Sequence, residues 1–142
     1  MITEKVVEHI VNWLKDYATN AKVNGFVIGI SGGIDSAVTS TLCAKTGFPV
    51  LCVEMPIHQG ENQVSRAKEH ISQLKNRFKK VRSTEVNLTA TFEEFKLNVP
   101  TIEDDVTVNM SLANTRARLR MTTLYYFAGV YGYLVAGTGN KV

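Results

Sequence analysis

The string Ser31-Gly32-Gly33-Ile34-Asp35-Ser36 brings together residue types suited to one kind of chemistry. Two adjacent glycines permit a tight turn and let a bulky ligand approach the backbone. Successive N–H groups in such a turn form a nest for an anion, and the free N–H groups and dipole of a following helix add to the same field. Ser31 and Ser36 add hydroxyl donors. Asp35 is the informative oddity, because a carboxylate beside a phosphate nest repels the ligand unless a cation lies between them. The string therefore predicts a phosphate site with a metal, most simply Mg²⁺ held by oxygen ligands. The plainer reading of a lone SGG is an N-cap loop, and the full string at a strand–helix junction argues against it. The Walker pattern is absent. Gly137-Thr138-Gly139 starts like GxGxxG but has Val142 where the third glycine would stand.

The elements that must position this loop alternate along the chain. Residues 3–19 place Val6, Val7, Ile10, Val11, Leu14 and Tyr17 on one helical stripe, with Thr3 as N-cap and Asn24-Gly25 closing the element. Residues 26–30 are a buried-strand run, and 34–46 a helix stopped by Gly47 and Pro49. Residues 50–54 form a second strand, 61–79 an amphipathic helix, 81–86 a weaker strand and 89–97 a short helix. Residues 98–110 read as a loop, 111–130 as a long helix and 132–136 as a last strand. This alternation implies one α/β domain over 1–142: a three-layer, doubly wound, mostly parallel sheet with helices on both faces. Ligands of such sheets bind at strand carboxyl ends where the winding reverses, which directs attention to 31–36, 55–62, 87–90 and 137–141.

Composition narrows the function classes. The 142 residues are 44% hydrophobic and 20% charged, with sixteen Lys+Arg against thirteen Asp+Glu. A net charge of +3, evenly spread, predicts neither a nucleic-acid partner nor a polybasic membrane patch. No run approaches the ~18 apolar residues of a spanning helix, and the N-terminus lacks a signal-like apolar core. Cys43 and Cys52 lie in apolar surroundings without a CxxC pattern, so a reducing cytoplasm is expected rather than a disulfide or zinc scaffold.

In the long helix, Arg116 and Arg120 share a face and Arg118 points nearly opposite. Ala113, Ala117, Met121, Leu124 and Ala128 form one apolar stripe, while Leu112, Leu119 and Phe127 lie on others. A helix apolar on several sides predicts burial against both the sheet and a second surface, with a partner subunit the natural candidate. Trp13 and the tyrosines read as core or interface. His9 and His70 read as solvated or packed, and Glu103-Asp104-Asp105 as a solvated acidic loop.

SGGIDS resembles the signature of the PP-loop ATP pyrophosphatases, which split ATP between its α and β phosphates and transfer AMP; their fold is adenine nucleotide alpha-hydrolase-like. Asn114-Thr115-Arg116-Ala117-Arg118-Leu119-Arg120-Met121-Thr122-Thr123-Leu124-Tyr125 resembles the NxxARxRMxxLY string of the NAD synthetase family. Gly137-Thr138-Gly139-Asn140-Lys141 resembles the GTGN[KR] loop of the same family. The resemblance implies amidation of deamido-NAD (nicotinic acid adenine dinucleotide) to NAD. Its carboxylate takes AMP from ATP, pyrophosphate leaves, and ammonia displaces AMP. No side-chain nucleophile or base is assigned.

By this resemblance Gly29, Ile30, Ser31, Gly32, Gly33, Ile34, Asp35 and Ser36 bind the ATP phosphates, and Asp35 holds Mg²⁺. Thr138 contacts ATP, Arg118 contacts deamido-NAD, and the adenine meets the 54–59 stretch, with Met55 ahead of His58 and Gln59. Arg116 and Arg120 receive no role. A homodimer through the 111–130 helix is implied. Family chains are longer, and their second Mg²⁺-binding glutamate would fall one residue past Val142, so the chain reads as the N-terminal portion of such an enzyme, with both an active and an inactive fragment left open. With no sign of a glutaminase segment before residue 1, free ammonia is the expected nitrogen donor unless another subunit supplies it. A GMP synthetase-like or tRNA-modifying PP-loop enzyme, or a non-catalytic ATP-binding fragment, are the alternatives.

Overall fold

Alternating residues of the central strands serve two cores at once. The computed structural model describes residues 3–137. In β1 (Gly25–Gly29), Phe26 and Ile28 face one side and Val27 the other; in β2 (Val50–Glu54), Val50 and Cys52 oppose Leu51 and Val53. A strand buried on both faces must pair where helices cover both, which is the parallel βαβ solution. The sheet order is β3-β2-β1-β4, all parallel, with β3 at Val81–Glu85 and β4 at Tyr133–Val135.

Helices α1 (Glu4–Asn20), α2 (Ile34–Lys45) and α3 (Glu61–Arg77) pack Ala18, Cys43, Ala44, Ala67, Ile71 and Leu74 against the Phe26 face. Helices α4 (Thr89–Asn98) and α5 (Asp105–Tyr131) bring Phe92 and Leu124 to the Val27 face. The winding runs β1, β2, β3 in one direction and then crosses back over the second face to place β4 on the free edge of β1. The expected three-layer α/β architecture is thus observed, and its reversal point lies between the carboxyl ends of β1 and β4. Among the described residues no helix is long and apolar enough to cross a membrane.

Local chemistry sets the boundaries. Thr3 caps α1, its Oγ1 accepting from the Val6 N–H at 3.3 Å. Gly25 belongs to β1 rather than to the turn after α1. The expected loop over 98–110 ends early: the Asp104 carboxylate accepts from the Thr107 N–H at 3.2 Å and starts α5 at Asp105. The acidic triplet is therefore a helix start. Its first two turns escaped the periodicity because Val106 and Met110 lie exposed rather than on a buried stripe. Of the core or interface roles expected for Trp13 and Tyr17, the core is not observed: they are 58% and 49% exposed on α1. The apolar stripe expected on α5 buries only Leu124.

Two outcomes follow from this packing. Phe92 is 2% exposed between α4 and the sheet, so Phe92→Ala should cost about 3–5 kcal/mol, read as a lower urea midpoint at nearly unchanged slope. Burial raises both Cys43 and Cys52 to a pKa of about 12. Both thiols then stay protonated at pH 8, and iodoacetamide should label them only after denaturation.

Candidate functional site

The loop between β1 and α2 is bonded largely to itself. The Ser31 N–H donates to Ser36 Oγ at 3.2 Å, and the Gly33 N–H to Ser31 Oγ at 3.2 Å. Ser36 Oγ donates to the Gly33 carbonyl at 3.2 Å and lies 3.2 Å from Ser31 Oγ. Two of the N–H groups expected to face an anion are therefore held by hydroxyls, and Ser36, only 3% exposed, is the hub of the loop rather than an open donor. Helix α2 begins at Ile34 with no side-chain cap, so the N–H groups of its first turn keep their bonding capacity.

Helix α3 clamps this loop from outside. Gly32 adopts φ +84°, and a Cβ there would stand 2.5 Å from the Gln63 carbonyl oxygen. Arg66 Nε donates to the Gly32 carbonyl at 3.3 Å. Only glycine fits both the left-handed backbone and the approach to α3.

An open cavity of about 330 Å³ lies at the reversal point, lined by Gly29, Ile30 and Ser31 from β1 and its loop, Met55, Gln59 and Gln63 from the β2–α3 segment, Arg120, Met121 and Leu124 from α5, and Val135 to Gly137 from the end of β4. A Cβ on Gly29 would meet Met55 Cε at 2.9 Å and Leu124 Cδ1 at 3.6 Å, so the cavity floor depends on the absent side chain. Of the sequence-predicted residues, Gly29, Ile30, Ser31, Met55 and Gln59 line the cavity. Gly32, Gly33, Ile34, Asp35 and Ser36 continue from its rim into α2 without lining it. Asp35 is exposed on the first turn and pairs with no described residue. Arg118 is exposed on α5 and does not line the cavity. Thr138 lies outside the described residues. His58 turns away to α4, with its Nε2 2.7 Å from Glu93 Oε2; that contact, with Lys96 behind it, holds the Glu93 carboxyl below its usual range.

Sequence reasoning left Arg120 without a role, and the structure gives it one in the cavity wall. Its Nε donates to the Met55 carbonyl at 3.0 Å, and the two terminal nitrogens bond to no described residue. Burial, then the like charge of Arg116, lower its pKa, yet a guanidinium stays charged at any ordinary pH. A half-buried cation with no carboxylate partner among the described residues, beside a serine loop and an uncapped helix start, can take an anionic ligand. Its helical phase opposite Arg118 was legible; which of the two faces met the sheet was not.

Among the described residues no three His, Cys, Asp or Glu side chains gather as a metal cage. A single accessible carboxylate at a phosphate loop suits Mg²⁺ better than such a cage, since that ion commonly takes one or two carboxylates and completes its shell with substrate phosphates and water.

Known proteins resemble this chain in sequence and in fold. The model of the NAD synthase family matches residues 6–142. The chain is 38% identical over 137 residues to an NH3-dependent NAD+ synthetase of Malacoplasma penetrans, covering 96% of this chain and 52% of the relative. It is 39% identical over 144 residues to one of Mesoplasma florum, covering 99% and 55%. Among solved structures, an NMN synthetase from Francisella tularensis superposes with TM-score 0.83 at 34% identity, over 94% of this chain and 53% of that one. An NH3-dependent NAD synthetase from Campylobacter jejuni superposes with TM-score 0.81 at 27% identity, over 97% and 57%. The chain thus spans about half the length of the curated relatives it matches.

The clamp on Gly32 has a direct check in Gly47, which shares φ +84° but where an added Cβ would meet nothing within 4 Å among the described residues. Gly47→Ala should cost only the backbone term, about 1–2 kcal/mol. Gly32→Ala should cost measurably more by urea denaturation, the excess reporting the contact with α3. Equal costs would mean that the loop does not bear on that helix.

Proposed function

This chain belongs to the NAD synthase family, and on that premise we propose that it binds ATP at the β1–β4 cleft for the ammonia-dependent amidation of deamido-NAD to NAD. The observation that carries the reading is the cavity at the reversal point of a parallel sheet, whose wall Ser31 and Arg120 both line, with the uncapped start of α2 following from its rim. In this reading the triphosphate lies along Gly29–Ser36, with Met55 and Leu124 forming the apolar wall suited to the adenine. The deamido-NAD carboxylate attacks the α-phosphorus, AMP is transferred, pyrophosphate leaves, and ammonia displaces AMP to form the amide.

The residues contribute binding and charge rather than a nucleophile. The N–H groups of the α2 start and the Arg120 guanidinium face the growing negative charge of the leaving pyrophosphate. Asp35 would hold Mg²⁺; when bound, that ion supplies charge neutralisation on the phosphate oxygens. Arg118, exposed on α5, contacts deamido-NAD in this proposal. Thr138 adds an ATP contact. The exposed apolar residues Val106, Met110, Tyr125, Tyr126 and Val130 of α5 support a homodimer through that helix. A cytoplasmic location accords with two protonated, buried thiols.

Calorimetric titration with ATP tests the phosphate assignment. Arg120→Ala should weaken binding about ten- to a hundredfold, the worth of a hydrogen bond to a charged group. Asp35→Asn should reverse order with metal: weaker than wild type with Mg²⁺, but equal or tighter in EDTA, where the repelling carboxylate is gone. A variant that keeps the wild-type Mg²⁺ dependence contradicts the role of Asp35. Turnover is tested with ATP and ammonia plus deamido-NAD, XMP or the corresponding nicotinic acid mononucleotide. NAD, AMP and pyrophosphate are expected from the first, with Arg118→Ala raising the deamido-NAD requirement more than the ATP requirement. Preference for the mononucleotide would align the chain with the Francisella protein instead.

A further inference from the structure

We propose that His70, on α3, is a positioning residue for the phosphate loop and acts through Ser40 on Ser36. The inference rests on the reading of Ser31–Ser36 as the loop that holds ATP phosphates.

Ser40 is wholly buried, one helical turn beyond Ser36. Its hydroxyl lies 2.7 Å from the Ser36 carbonyl oxygen, 3.1 Å from that of Ala37, and 2.7 Å from His70 Nε2. The hydroxyl has one hydrogen, and two short contacts compete for it. With the hydrogen on the Ser36 carbonyl, His70 Nε2 must carry its own hydrogen and donate to Ser40 Oγ. The chain then runs in one direction, from the His70 ring through the Ser40 hydroxyl to the Ser36 peptide, and each bond polarises the next.

Ser36 is the residue on which the loop turns. Its hydroxyl takes the Ser31 N–H and gives to the Gly33 carbonyl, so rotation of the Ser36 peptide moves both. The clamp from α3 is also continuous. Gln63 meets Gly32, Arg66 bonds the Gly32 carbonyl and His70 bonds Ser40, at spacings of three and four along one side of the helix. This polar row adjoins the apolar row of Ala67, Ile71 and Leu74 that enters the core. An apolar residue at position 70 would fill the space, but it would remove the donor to Ser40 Oγ and with it the polarisation of the Ser40–Ser36 bond, leaving the Ala37 carbonyl at 3.1 Å to compete for the Ser40 hydrogen.

The test compares the intact 142-residue chain with His70→Leu, which removes the donor, and His70→Gln, which returns an N–H near the same place. In nucleotide-free protein, amide hydrogen exchange at Ser31 and Gly33 should quicken about tenfold in His70→Leu and return toward wild type in His70→Gln. The ring ¹⁵N shifts should show hydrogen on Nε2. Affinity for ATP with Mg²⁺ should fall about tenfold in the leucine variant and recover in the glutamine variant. Unchanged exchange in His70→Leu, a quickening that glutamine fails to reverse, or hydrogen on Nδ1 alone overturns the inference. Absence of ATP binding by the wild-type chain would strike the functional reading, while exchange still decides whether His70 positions the loop.

Discussion

Because β1 pairs in parallel with β2 on one edge and β4 on the other, the segments leaving β1 and entering β4 must cover opposite faces of the sheet. The first crossover, α2, packs with α1 and α3 against Phe26 and Ile28. The last, α5, packs against Val27 and the flanking Leu51 and Val53. No described side chain fills the gap where those layers part, so a cavity opens at the carboxyl end of β1. Pairing continues past the ends of the strands, with the Ile30 N–H on the Val53 carbonyl and the Ala136 N–H on the Val27 carbonyl, both at 2.9 Å. These bonds fix Ser31 and Gly137 on either side of the opening.

The loop at that opening is held more firmly than its glycine content suggests. Gly32 costs conformational entropy, but contact with Gln63, the bond from Arg66 and the serine network restrict it in return. Such a loop needs little reorganisation when a ligand arrives, and preorganisation of this kind is where binding and electrostatic stabilisation gain most. Charge follows the same logic. Arg120 is anchored through Nε to a backbone carbonyl, which leaves its two terminal nitrogens free of any described partner. Asp35 is exposed on the first turn of α2 and does not line the cavity that Arg120 lines.

Much of this was legible in the residues. Apart from the start of α5, the alternation of elements came through with boundaries shifted by at most two positions, because strands buried on both faces and helices with one buried row leave strong periodic traces. The Ser31–Ser36 string marked the loop, since its paired glycines stand with two hydroxyls and a carboxylate between a strand and a helix. The start of α5 was not legible: Val106 and Met110 belong to a face that meets nothing described, and the cap depends on how the Asp104 side chain turns. Trp13 and Tyr17 read as core or interface, and which of the two was not legible for a related reason, as aromatic character alone does not say which elements lie close enough to cover a ring.

The sequence by itself determined the elements, their parallel arrangement and the residue types at the loop, because local propensity and burial pattern act over a few neighbouring positions. Tertiary structure alone decided that Arg120 rather than Arg118 lines the cavity, that hydroxyls occupy the Ser31 and Gly33 N–H groups, and that α3 grips the loop through Gln63, Arg66 and His70. Those outcomes depend on the rotation and separation of helices distant in the chain. That placement is set by the packing of the whole core, and no local pattern encodes it.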